Sequence, residues 1–170
     1  MKALSYLLVS FIIVFSIFYV YLNHWDDILF SLFGIESEFT IYIGDQAMKV
    51  TVADTLAERK VGLSNVAGLR DLQGKLLIFD DEDYHGIWMK DMLFPIDVIW
   101  IDNDLEIVHI ESNVQPSSYP DTIYGPPKPA RYILETKAFF ASSYKLNVGE
   151  KINIPSDLLT PDISNRLLGQ

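Results

Sequence analysis

Residues 86–102 read GIWMKDMLFPIDVIWID. Ile96, Val98, Ile99, Trp100 and Ile101 are β-branched or aromatic, the side chains that pack on a pleated surface, and they predict a strand over 96–101. Pro95 has no amide proton to give to a ladder, so it can only open that strand. Alternation puts Ile96, Val98 and Trp100 on one face and Asp97, Ile99 and Ile101 on the other. Both faces are therefore mostly apolar, which predicts a strand covered on both sides. A carboxylate in such a strand is costly unless it is hydrogen-bonded or paired with a cation. Lys90 and Arg131 are the nearest basic candidates for Asp97.

Working outward, Asp102, Asn103 and Asp104 form a short connection to a strand over 105–111. The parity of that connection decides whether His109 and Glu111 join Asp97 or point away from it. Upstream, residues 38–43 and 48–53 alternate around Gly44 and Asp45 as a hairpin. Thr55 to Glu58 fits a capping box that starts a short helix ending near Gly62. Residues 75–79 and 87–90 read as two more strands. Residues 115–129 hold five prolines and two tyrosines and are expected to be an irregular loop. A strand over 131–135, a second helix over 137–146 and a closing strand over 151–154 follow. Short strands at close spacing with two short helices predict a mainly β fold, a single sandwich or jelly-roll-like barrel domain.

Residues 3–22, ALSYLLVSFIIVFSIFYVYL, carry neither charge nor proline, and roughly 20 such residues cross a bilayer as a helix. The residues that follow lack the small side chains of a signal-peptide cleavage site. The expectation is one transmembrane helix, an uncleaved anchor over 1–23, with a juxtamembrane linker over 24–37, the β domain over 38–155 and a peripheral tail over 156–170. Lys2 lies before the apolar run and Asp26 and Asp27 after it, which points to a cytoplasmic N-terminus and an extracytoplasmic domain. The whole chain of 170 residues has 13 basic and 23 acidic side chains, net −10. Without Lys2 the exported part keeps 12 basic against 23 acidic residues, net −11. Such a field repels nucleic acid, which is not expected as a partner. The chain has no cysteine, which excludes disulfides, thiolate metal sites and cysteine nucleophiles.

Five runs in order, VADTLAERKVGL at 52–63, GIWMKDMLFPIDVIWID at 86–102, IVHIESNVQP at 107–116, YGPPKPARYILE at 124–135 and LNVGEKI at 146–152, resemble the successive motifs of the conserved family called domain of unknown function number 192. Ser64 stands where that family usually has a methionine, and Gln73, Gly74 and Lys75 replace its commoner lead-in. The resemblance implies a small, mainly β domain, often behind a signal or membrane anchor, and brings no catalytic role with it.

The candidate site is correspondingly open. Asp97 is either a structural, hydrogen-bonded acid or a titrating group, and Asp97 with Glu111 or Glu135 would be the carboxylate pair of a hydrolase acting on envelope polymers. For ligand binding the candidates are Trp88, Lys90, Asp97, Tyr124, Arg131 and Glu135, with the stiff loop at Tyr119, Tyr124 and 126–129 presenting aromatic faces. No metal is expected: His24, His85 and His109 lack ligand spacing, and the acidic clusters 80–83 and 102–104 lack the glycine and closing glutamate of a calcium loop. No cofactor is expected either. Ser142 and Lys145 match S-x-x-K without its companion motifs and read as an amphipathic coincidence. The leading expectation is a binding or accessory domain for an envelope glycan, peptide or protein, more readily than an enzyme, with the hydrolase and a structural subunit of a membrane complex as alternatives.

Overall fold

The structure, a computed structural model, describes residues 38–159; the expected anchor, the linker and most of the tail lie outside them. Seven strands form one curled sheet in the order β5-β4-β6-β3-β2-β1-β7. They are β1 (Glu38–Ile43), β2 (Gln46–Ala53), β3 (Gln73–Asp83), β4 (Ile96–Ile101), β5 (Ile107–Val114), β6 (Ala130–Lys137) and β7 (Ile152–Asn153). Two short helices, α1 (Leu56–Val61) and α2 (Phe140–Ser143), complete it. All pairings are antiparallel except β2 with β3. Parallel neighbours cannot be joined by a tight turn, and the connection between β2 and β3 carries α1.

The expected sandwich or jelly-roll is thus a single mixed sheet. Alternation along 96–101 was read correctly as a strand covered on both sides, and all six residues are buried. What covers them is not a second sheet. On one face Ile99, Ile101, Leu134, Leu76 and Ile78 pack with Phe140 of α2 and Leu158. On the other Val98, Trp100, Ile133 and Leu77 pack with Leu63, Ile87 and Met89 from connecting segments. Helices and loops do the work expected of a second layer.

Three elements differ from expectation. Residues 87–90 alternate buried Ile87 and Met89 with exposed Trp88 and Lys90, yet only an isolated bridge between Ile87 and Tyr124 forms. The second helix is confined to Phe140–Ser143: β6 runs on to Lys137, which pairs with Ile96, and Phe139 and Lys145 take positive φ at 65° and 56°, which ends the helix on either side. The beginning of the tail is not peripheral, since Leu158 is fully buried in the first core. Among the described residues no helix is long and apolar enough to cross a membrane.

Candidate functional site

Asp97 sits at the strand position where alternation turns it toward α2, and it is fully buried. Its Oδ1 accepts hydrogen bonds from Ser112 Oγ at 2.9 Å, the Asn113 amide at 2.8 Å and the Phe139 amide at 2.9 Å. Its Oδ2 accepts from the Ala141 amide at 2.9 Å. Four donors satisfy this carboxylate, three of them backbone amides that would otherwise be orphaned at the start of α2 and at an irregularity in β5. Neither basic candidate is involved. The Lys90 ammonium lies 6.0 Å from the Trp88 ring centre. Arg131 donates to the Phe79 carbonyl and to Asn103 Oδ1.

Register settles the carboxylate pair. His109 pairs with Trp100 and Glu111 with Val98, so both lie on the face opposite Asp97, and His109 Nε2 stands 3.4 Å from Glu111 Oε2. Glu135 also pairs with Val98, on that same opposite face. Asp97 therefore forms no acid–base pair with Glu111 or Glu135. Nor do those two form one, because fully buried Val98 stands between them.

That second face carries a cleft of about 390 Å³. Its floor is Leu77, Phe79 and Glu135 from β3 and β6, one wall is α1 with Gly62, Leu63 and Ser64, and the other is Gly86, Ile87, Trp88, Met92 and Ile123. Leu56, Val61, Trp88 and Ile123 are exposed and make its mouth mostly apolar, with Lys60 the exposed charged residue among the lining. The α1 wall is locally determined. Thr55 Oγ1 accepts from the Glu58 amide while the Glu58 carboxylate accepts from the Thr55 amide, the reciprocal capping box. Gly62, at φ 50° and ψ −122°, ends the helix with its amide on the Glu58 carbonyl. A Cβ on Gly62 would stand 3.2 Å from Glu135 Oε2, so a bare backbone roofs the acid. Arg59 braces the wall to the sheet through the Asp54 and Ile78 carbonyls and lies over the Phe79 ring.

Glu135 is 4% exposed, and its Oε2 has no hydrogen-bond partner. Burial raises its carboxyl to about 7, partly offset by the charge of Lys75, its buried cross-strand neighbour. A carboxyl with an unpartnered acceptor at the foot of a mostly apolar cleft can take a donor from an occupant, or exchange a proton near neutrality.

Of the expected binding residues, Trp88 and Glu135 line the cleft, and Lys90 flanks Trp88. Tyr124 is packed against the second core and bridged to Ile87. Asp97 is on the other face, and Arg131 is engaged with Phe79 and Asn103. Sequence reasoning missed the whole α1 wall and Lys75. The available signals were the apolar Leu56 and Val61 on a helix too short to bury both edges, and a lone lysine heading the apolar run KLLIF. Ser142 Oγ donates to the Phe139 carbonyl, an ordinary turn contact. Among the described residues no group of three or more His, Asp or Glu side chains is placed to hold a metal ion.

Residues 39–154 match the family DUF192, described as an uncharacterized ACR. The chain belongs to this family. No curated protein matches it. Among solved structures it is similar to a candidate transcription regulator from Sinorhizobium meliloti 1021, with 21% identity, a TM-score of 0.64, and coverage of 69% of this chain and 94% of that one. A protein of unknown function from Novosphingobium aromaticivorans DSM 12444 gives 23% identity, a TM-score of 0.63, and coverage of 72% and 89%. At these identities the likeness is one of fold.

Proposed function

We propose that this chain is a membrane-anchored, extracytoplasmic binding domain whose ligand, an envelope component, enters the cleft above Glu135. The observation that carries this reading is the cleft itself: mostly apolar walls and mouth, with one buried carboxyl whose Oε2 has no hydrogen-bond partner. Ligand sites have this form, a mostly apolar concavity with a few convergent polar groups. The uncharged run at 3–22 supports the anchor. Glu135 is the one carboxylate among the described lining residues, so a hydrolase with paired acids has no second acid here. The regulator label on one structural neighbour does not favour DNA for this chain, whose net charge is −10.

The test pairs the full chain with Val61→Trp, which fills the mouth from an exposed position. Both are screened on glycan, peptide and lipid arrays, and the side of the membrane carrying the domain is read by protease accessibility in intact cells. Retention by the wild type and loss in Val61→Trp is the expected result. Identical array profiles for the two proteins, or a domain protected inside intact cells, would overturn it.

A further inference from the structure

The cleft has a polarity, and it selects the head group of its occupant. We propose that it takes a donor-headed apolar ligand, an aromatic or aliphatic body ending in a hydroxyl or an amine, with Glu135 as the accepting group. This rests on the cleft being a ligand site. Glu135 Oε2 is buried without a partner, and buried acceptors are almost always satisfied. Among the described residues no side chain donates to that oxygen: Lys75 beside it acts through its charge, and Lys60, the other cation among the lining residues besides Arg59, is exposed. Gly62, directly above, presents no side chain, and its amide is spent on the Glu58 carbonyl. Arg59 gives its Nη1 protons to the Asp54 and Ile78 carbonyls and turns Nη2 toward Asp80, and Ser64 Oγ gives its proton to the Lys90 carbonyl.

Above about pH 7, where Glu135 is ionised, an anionic head would meet its carboxylate at the foot of the cleft and be repelled. An ether or hydrocarbon head would leave the acceptor as it is. A hydroxyl or ammonium proton satisfies it, and the surrounding Leu63, Leu77, Ile87 and Met92 exclude competing water.

The experiment, at a pH about one unit above the Glu135 value of about 7 so that its carboxylate is the acceptor, follows ¹³C-methyl methionine resonances of the full chain in bilayer nanodiscs. Met92 lines the cleft, whereas Met48 is buried in the core on the opposite face and reports integrity. The probes share one aromatic body: benzyl alcohol, benzylamine, anisole and benzoate. A hydrogen bond to a charged group makes the expected preference about tenfold or more for the alcohol and amine over anisole and benzoate. Glu135→Leu should abolish that preference, and Glu135→Gln, which keeps an acceptor, should retain part of the alcohol's. Should Glu135→Leu disturb Met48, the wild-type ranking and the Gln variant decide. Anisole matching benzyl alcohol, benzoate binding tightest, or a donor preference surviving in Glu135→Leu would overturn the inference while leaving the cleft as a binding site. No probe moving Met92 would overturn both.

Discussion

Two acids are buried in this sheet, and their surroundings divide them into different roles. Asp97 is saturated by four donors, so its carboxylate holds structure together. Asp97→Asn would turn an amide hydrogen toward one of those donors and should cost on the order of 2–3 kcal/mol in urea unfolding, with the Met92 response to cleft probes unchanged in the folded fraction. A variant as stable as the wild type would refute that role. Glu135 is the reverse case. Its carboxyl titrates at about 7 in the fold against an ordinary 4.5, so between those values the folded chain holds the extra proton. Its contribution is whole below about pH 4.5, declines as pH rises and is lost above about 7. The size is on the order of 3 kcal/mol. Glu135→Gln should therefore gain stability relative to wild type as pH is raised from 4 to 8, and a pH-independent difference would show that Glu135 is not the titrating group. The comparison must be a difference, because Glu58 and Asp71, both held below their ordinary values by hydrogen bonds, act in the opposite sense. The sequence showed that Asp97 needed partners but not which. Its donors lie 15 to 44 residues away, and backbone amides leave no mark in residue type.

At the scale of elements, legibility followed how local the determinants are. The capping box at Thr55 and Glu58 lies within four residues, and α1 was read with its start and its stop. Thr55→Ala should lower stability by about 1 kcal/mol. Gly62→Ala should cost roughly 1–3 kcal/mol, because its backbone angles are strained for any side chain and the added methyl crowds Glu135. Differential scanning calorimetry of both variants checks these values, and an unshifted Gly62→Ala transition would show that the roof relaxes freely. The segment 87–90 and the second helix were misread for a shared reason. Alternating burial and apolar spacing report which side chains are covered, whereas a ladder or a helix needs partner backbone or permissive φ, and Phe139 and Lys145 deny it.

At the scale of the whole molecule, period-two alternation announced that β4 is covered on both faces but could not name the cover. A sandwich and a single sheet clad in helices and loops give the same pattern along one strand. The tail shows how this misled. Residues from 156 onward read as a peripheral tail, yet Leu158 packs in the first core. Leu158→Ala should destabilise by about 2–5 kcal/mol, and chemical denaturation with no loss would mean that segment is detachable. The site was half legible: Trp88 and Glu135 were on the page, while the wall facing them came from residues 56–64, more than 70 positions before Glu135, and was brought over the sheet by the parallel crossover.

That crossover divides the cleft between two kinds of construction. Its floor, with Glu135, belongs to hydrogen-bonded strands near the centre of the sheet, and its walls belong to connections that the ladder does not constrain. Loops tolerate insertion and exchange far better than central strands do. The cleft is therefore a receptor with a fixed foot and an exchangeable rim: the exposed positions Leu56, Val61 and Trp88 can change to admit a different body, while Leu63, Ile87 and Met89 stay to cover the sheet and the acid beneath keeps the same demand on whatever head group arrives.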